Sequence, residues 1–230
     1  MVEIEVGGSA LRLLAQRAAY LHEQRTLLVA DVHLGKATSF RRLGVPVPEA
    51  TTAATLERLS QAIAATAARA VVFLGDLLHS RHGNSPATLD AVRRWRRAQC
   101  ADLELTLVRG NHDDGAGDPP PDWGVHCVDG PLRIDGLAFA HHPDPLPGAY
   151  VLAGHVHPAA VVGGRGPGRL RLPCFHFGAA VGVLPAFGEF TGSHVLPRTP
   201  GDRVFVIGGE TLRELPMPSP RIGARALHCR

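Results

Sequence analysis

Residues 103–114 read LELTLVRGNHDD. The run 103–108 is apolar and strand-compatible, stops at Arg109-Gly110, and gives way to Asn111, His112, Asp113 and Asp114. It is too short for a helix and has the length of a buried strand. Four polar side chains in a row add nothing to a core, but each is a potential ligand or acid–base group. The same join recurs along the chain. LLVA (27–30) runs into Asp31-Val32-His33, and VVFL (71–74) into Gly75-Asp76. LAFA (137–140) runs into His141-His142, and YVLA (150–153) into Gly154-His155-Val156-His157. Five strands therefore end in Asp, Asn or His, and in open α/β sheets the carboxyl edge of the strands is where ligands bind.

The intervals between the first strands are helical. Residues 48–70 place Leu56, Leu59 and Ile63 on one face amid alanines. Residues 85–100 begin with Ser85 as cap and Pro86 in the first turn, with Leu89, Val92 and Trp95 as the apolar stripe. The order β-α-β-α-β predicts parallel strands with crossover helices. After residue 123 short strands follow one another, including 203–207, in the manner of an antiparallel sheet. The fold class expected is α/β, a layered domain with two packed sheets. Loops at 115–122 and 163–168 do not look like linkers, so a single domain over residues 1–214 is expected, with a loose tail over 215–230.

Composition excludes several classes. With 230 residues, 45% hydrophobic and 20% charged, the chain has the make-up of a globular protein. A net charge of +3 is too small to name a nucleic-acid partner, so any basic patch must be local. Cys100, Cys127, Cys174 and Cys229 form no CxxC pair, which suits a reducing cytoplasm better than a disulfide framework. Arg12, Gln16 and Arg17 interrupt the apolar residues near the N-terminus, so a signal-peptide core is not expected there. No apolar run approaches a membrane span. The localisation expected is cytoplasmic.

The polar strand ends have a chemical logic. Asp-x-His and His-x-His set alternate residues on one side of an extended segment, so both could face one ion. Carboxylate oxygen with imidazole nitrogen suits Mn, Fe or Zn. Seven such groups exceed the needs of one ion, and two ions close together need a shared carboxylate, for which Asp76 is placed. Gly75, Gly110 and Gly154 would let the backbone turn sharply beside the ligands. Each motif alone has an ordinary explanation: Gly-Asp marks turns, GNHD could be an Asn-capped turn, and GHVH a surface loop. Their joint occurrence at strand ends is what carries the reading.

In this order, DVH, GD, GNHD, His141 and GHVH resemble the calcineurin-like metallophosphoesterases. The resemblance implies a two-sheet sandwich flanked by helices. It implies one divalent ion on Asp31, His33, Asp76 and His157, and another on Asp76, Asn111, His141 and His155. His112 would assist the leaving group, making His112, Asn111 and Asp76 the catalytic set. Asp113 would orient His112 or brace the loop, and Asp114 would be a solvated turn residue. His142 could exchange roles with His141. The segments DVHLGKATSFRRLGVPVP, AFAHHPDPLPG and LPAFGEFTGSHVLP are similar, more narrowly, to the ligase-associated DNA-damage-response endonucleases of the PdeM type. That similarity implies a Mn-dependent nuclease or phosphodiesterase acting on DNA, associated with a DNA ligase and helicase repair system. A homo-oligomer stays open.

Other readings remain. The metal motifs treat any phosphate ester alike, so a phosphatase or cyclic-nucleotide phosphodiesterase competes with a nuclease. A metal-dead scaffold would show eroded ligands, and none is eroded here. Lys36, Arg41 and Arg42, just after the first motif, could guide a polyanion; His79, Ser80 and Arg81 could touch a phosphate or form a plain loop. His176 is either rim or site. Arg93, Arg94, Arg96 and Arg97 around Trp95 read as a solvated helix face. With 5% aromatic residues, no base-stacking platform is evident.

Overall fold

The computed structural model describes residues 1–48, 51–163 and 168–217. Its first sheet holds β1 (Val2–Val6), β2 (Ser9–Leu14), β3 (Ala18–Leu21), β4 (Thr26–Val29), β5 (Ala70–Leu74), β6 (Glu104–Val108) and β7 (Val125–Val128), side by side in chain order. Pairing is antiparallel from β1 to β4 and parallel from β4 to β7. The parallel half follows from its crossovers, α1 (Lys36–Arg42) with α2 (Thr51–Thr66), then α3 (Pro86–Ala98), then the short α4 (Asn111–Ala116). Ser85 caps α3, its Oγ accepting from Thr88 N at 3.2 Å, with Pro86 in the first turn.

The second sheet comprises β8 (Leu132–Ile134), β9 (Leu137–Ala140), β10 (Tyr150–Ala153), β11 (Pro158–Val162), β12 (Leu170–Phe177), β13 (Val181–Val183), β14 (His194–Val195), β15 (Arg203–Gly208) and β16 (Thr211–Leu215). It is mixed rather than antiparallel: β9, β10 and β13 run parallel at its centre, and the pairs β8–β9 and β12–β15 run antiparallel. The connection over 141–149 returns β10 parallel to β9, and the passage through β11 and β12 returns β13 parallel to β10, which a tight hairpin cannot do. The antiparallel ribbon β1–β3 was not expected either, although Ile4, Val6, Leu11 and Leu13 alternate inward as a half-buried strand requires. The expected tail begins inside β16, and its residues 218–230 lie outside the described residues.

The two faces of the first sheet bury different partners. Leu27, Val29, Val71, Phe73, Leu105 and Leu107 pack under Leu56, Leu59 and Val92 of the helices. Leu28, Val72 and Leu74 face Phe139, Phe175 and Phe205 of the second sheet. Each such side chain, fully buried, contributes about 1.5–3 kcal/mol. Covering both faces explains why the central strands read as unbroken apolar runs rather than alternating ones. Parallel β4, β5 and β6 end on one edge, parallel β9 and β10 end together, and Ala30 bridges Ala186 where the sheets meet.

Candidate metal centre

Beyond that edge the chain enters an uncommon conformation. Asp31 (φ 52°), His33 (φ 49°), Asp76 (φ 52°), His155 (φ 68°) and His157 (φ 53°) all occupy the left-handed region. Asp, Asn and His tolerate that region better than other non-glycine residues, yet five together mark a site that the surrounding structure over-determines. It also corrects the sequence expectation. These residues lie past the strand ends, not on an extended segment, and backbone curvature gathers them. Asp31 and His33 do converge, with His157, their ligand atoms lying within 4.8 Å of one another. His155 and His157 do not share a point: His155 turns to His141 and His142 instead.

The donor set fits cations. His141 Nδ1 donates to Leu74 O (3.1 Å), so in the neutral ring Nε2 carries the lone pair. That lone pair faces the acceptors Asn111 Oδ1 at 2.9 Å and Asp76 Oδ1 at 3.5 Å, which a positive ion would satisfy. It also faces His155 Nδ1 at 3.0 Å, which joins them as a ligand atom in the tautomer that leaves it unprotonated. A second such point lies alongside. His157 Nδ1 donates to Gly192 O (3.1 Å), which leaves Nε2 buried, without a hydrogen-bond partner, 3.5 Å from Asp31 Oδ1. Both ring nitrogens of His33 are also buried and unpartnered, with Nε2 3.8 Å from Asp76 Oδ2. Burial, reinforced by Lys36 and the neighbouring rings, pushes the His33 pKa far down, so the ring is neutral and its nitrogens are free to coordinate. Asp31 and Asp76, 0% and 2% exposed, are carboxylates that a dry interior tolerates only beside positive charge.

Packing holds these groups in place. Asp31 accepts from His155 N (2.9 Å), which ties the two sheets together at the site. Asp113, buried, accepts from the backbone N–H of Asp76 (2.7 Å), Leu78 (3.0 Å) and Gly110 (2.9 Å). Asp113 therefore braces the loops after β5 and β6, and makes no bond to the His112 ring. The three glycines serve mainly through the missing side chain. Only Gly75 has positive φ (78°); a Cβ on Gly154 would stand 2.6 Å from Asp31 Oδ2, and one on Gly110 2.7 Å from Asp76 N and 2.9 Å from His141 Cε1. Since Asp76 N is backbone, Gly110→Ala is expected to cost about 1–3 kcal/mol and to displace Asp76. Thermal melts with and without Mn should show a lower Tm and a reduced cation-induced rise.

The remaining residues separate. His112 N donates to Asp76 Oδ1 (3.0 Å) and its Nδ1 to His79 O (2.9 Å), leaving Nε2 on the half-open rim, 4.0 Å from Asp76 Oδ2. His79, read from the sequence as a phosphate contact or a plain loop residue, stacks on His112 (5.0 Å between centroids), and burial lowers its pKa to about 4. His33, His79 and His112 also bring ligand atoms within 4.8 Å. His141 is buried, whereas His142 is exposed and packs on the rings of His141 and His155. Lys36 is half-buried in the field of Asp76 and Asp31, and burial outweighs their attraction to lower its pKa. Arg41 is occupied with Val47 O (3.3 Å) and Thr38, Arg81 with Gly115 O (3.2 Å), and Arg42 is exposed. His176 belongs elsewhere, paired with Asp202 at 3.0 Å. Around Trp95, Arg93 pairs with Asp90 and Asp122, and Arg96 binds three carbonyls, so these arginines anchor α3.

Comparisons with known proteins agree with this geometry. Residues 24–178 match the family model described as calcineurin-like phosphoesterase. Among solved structures, the chain is similar to the Pseudomonas putida nuclease MPE, at 43% identity and TM-score 0.80, covering 90% of this chain and 96% of that one. A more distant match, at 15% identity and TM-score 0.40, is YfcE, a phosphoesterase from E. coli, covering 83% of this chain and 97% of that one. No curated protein sequence matches the chain. With the family model spanning more than half of its length, this chain belongs to the calcineurin-like phosphoesterase family and is a metal-dependent phosphoesterase.

Proposed function

We propose that this phosphoesterase is a nuclease that hydrolyses phosphodiesters of DNA at a dinuclear, preferentially Mn-loaded centre. The observation that carries the reading is the 43% identity, over 90% of the chain, to a protein described as a nuclease. Asp31, His33, Asp76 and His157 would hold one ion, and Asp76, Asn111, His141 and His155 the other. Two such ions supply Lewis-acid chemistry, neutralising phosphate oxygens and acidifying the attacking water. The chain does the rest. The Leu74 and Gly192 carbonyls fix the tautomers of His141 and His157, as supporting groups do for ligating histidines. The His79 carbonyl holds His112 Nδ1–H so that Nε2 is left toward the substrate, and in the imidazolium form Nε2–H would give its proton or a hydrogen bond to the departing oxygen. Lys36, in the field of Asp31 and Asp76, is the cation best placed to meet a substrate phosphate; Arg42 would act farther along the strand, and Arg41 and Arg81 through the loops they hold.

The wider setting follows the same reading. Residues 1–214 would act as one domain, which the core shared between the sheets supports. Cys100, Cys127 and Cys174 are unpaired, as in a reducing cytoplasm, and no helix among the described residues is long and apolar enough to cross a membrane. A role in DNA repair beside a ligase and helicase is part of the proposal and rests on the PdeM-type resemblance.

Purified protein freed of metal with EDTA should be inert and regain activity with Mn. A side-by-side assay on plasmid DNA, a single-stranded oligonucleotide, a nitrophenyl phosphodiester and a phosphate monoester tests the substrate. DNA and the diester should be cleaved well above the monoester. Turnover of the monoester with DNA left intact would replace the nuclease with a phosphatase.

A further inference from the structure

Next to His157 a groove of 190 Å³ opens, lined in part by Arg17, Arg171, Phe190, Thr191 and Gly192. At roughly 30 Å³ per water, it has the space of about six waters, the scale of one planar heterocycle rather than a duplex. Its wall is the loop after β13. Phe187 N donates to Ala30 O (2.8 Å) and Gly188 N to Asp31 O (3.1 Å), so this loop is laid along the backbone of the first metal motif. Gly192 O accepts from His157 Nδ1 at 3.1 Å. The groove and the metal centre thus share a wall, and a phosphate held at one would place its neighbouring nucleoside in the other.

The loop is built to present one ring. Phe187 is fully buried, under the Arg58 guanidinium at 5.5 Å. Three residues on, Phe190 is 51% exposed, with φ at 57°. A bulky residue in the left-handed region is an outlier that persists only where the surroundings impose it. Arg58 imposes it by binding Phe187 O (2.6 Å) and Glu189, and Arg17 by binding Gly188 O (3.3 Å). Glu189, the one acidic residue of the lining, lies beside both arginines, 3.9 Å from Arg17. Arg171 is exposed and makes no side-chain hydrogen bond or ion pair among the described residues.

We infer that this groove is a nucleotide subsite, in which the base adjoining the scissile phosphate stacks on Phe190 and its outer phosphate meets Arg171. The inference rests on the nuclease reading and adds to it a residue that grips the base. An aromatic ring is tolerant of sequence because every base offers a π-face, so this contact favours an unpaired nucleotide without selecting its identity.

The test uses the full chain with Mn, a single-stranded oligonucleotide, and the same oligonucleotide made abasic at each position around the cut. Phe190→Ala should raise KM for the intact oligonucleotide roughly 5- to 150-fold, relative to the change in KM for a small nitrophenyl diester. Phe190→Trp should restore it. One abasic position should produce the same rise in the wild type and add nothing in Phe190→Ala. Arg171→Gln should lower the log–log salt dependence by about 0.7. Wild-type behaviour of Phe190→Ala on the intact strand, or an equal loss on the diester, would overturn the subsite while leaving the nuclease intact. Failure of the wild type to cut any oligonucleotide while hydrolysing the diester would overturn both.

Discussion

Asp76→Asn is expected to empty both cation positions and to lower turnover more than about 10³-fold, beyond the 10–100-fold usual when only a supporting group is lost. Asparagine keeps the shape, and its oxygen can still accept from His112 N, now bonded to Oδ1 at 3.0 Å. What disappears is the charge between His33 Nε2, at 3.8 Å, and His141 Nε2, at 3.5 Å, on opposite sides of Asp76. Loaded with Mn and desalted, the wild type should approach two equivalents, and the variant should fall below one. Thermal stability should move in opposite directions in the two states. Without metal, the buried Asp31 and Asp76 bring oxygens within 4.8 Å of each other, an unfavourable approach that Asp76→Asn relieves, so its metal-free Tm should rise. The Tm gain on adding Mn, which measures binding to the folded state, should shrink or vanish. Two equivalents retained by Asp76→Asn would sink the shared-carboxylate assignment.

Most of the residues gathered at the candidate site were legible because they obey two local rules at once. Apolar runs such as VVFL stop at a glycine, and the next residues are ligand types. The strands predicted at 27–30, 71–74, 103–108, 137–140, 150–153 and 203–207 all form, within a residue or so of their ends. What could not be read was the geometry that joins them. Five left-handed residues have no sequence signature beyond being Asp or His. That is why the His-x-His spacing, read alone, allowed His155 and His157 to face one ion, whereas the structure turns them toward two different groups of side chains. Gly110 and Gly154 looked like turn residues, but they are glycine because Asp76, His141 and Asp31 arrive from other strands to occupy the place of a side chain. Such requirements are long-range, and no local pattern encodes them.

Missed elements divide in the same way. The ribbon β1–β3 carried its signal openly in the alternation of VEIEV and SALRLL. Asp113 had been given two roles, and only the backbone N–H groups of residues 76, 78 and 110 decide between them. A 5% aromatic content argued against a stacking platform, and the contact proposed for Phe190 would need only one ring, held in left-handed backbone beside the site. Lys36, Arg41 and Arg42 are alike in sequence and unlike in surroundings: one lies in the field of the carboxylates, one holds the loop to Val47, and one is exposed.

His112→Ala should lower kcat on DNA by about 10²–10⁴ while leaving close to two equivalents of Mn in place. The reason is positional. Nδ1 is committed to the His79 carbonyl, and Nε2 stays 4.0 Å from the nearest Asp76 oxygen, on the rim where the side chain is 38% exposed. A group so placed meets the substrate in the transition state and contributes little to ground-state binding, so KM should change far less than kcat. The leaving group supplies a second reading. A nitrophenolate departs with little help from an acid, whereas the alkoxide of a sugar needs it, so the loss on a nitrophenyl diester should be well below the loss on DNA. His155→Ala should behave differently, lowering cation occupancy and activity on both substrates together. The competing possibility is concrete, because His33, His79 and His112 could themselves gather around an ion. If His112→Ala gave up a full equivalent of Mn and lost equally on both substrates, His112 would be a ligand, and the leaving oxygen would have to be assisted from elsewhere.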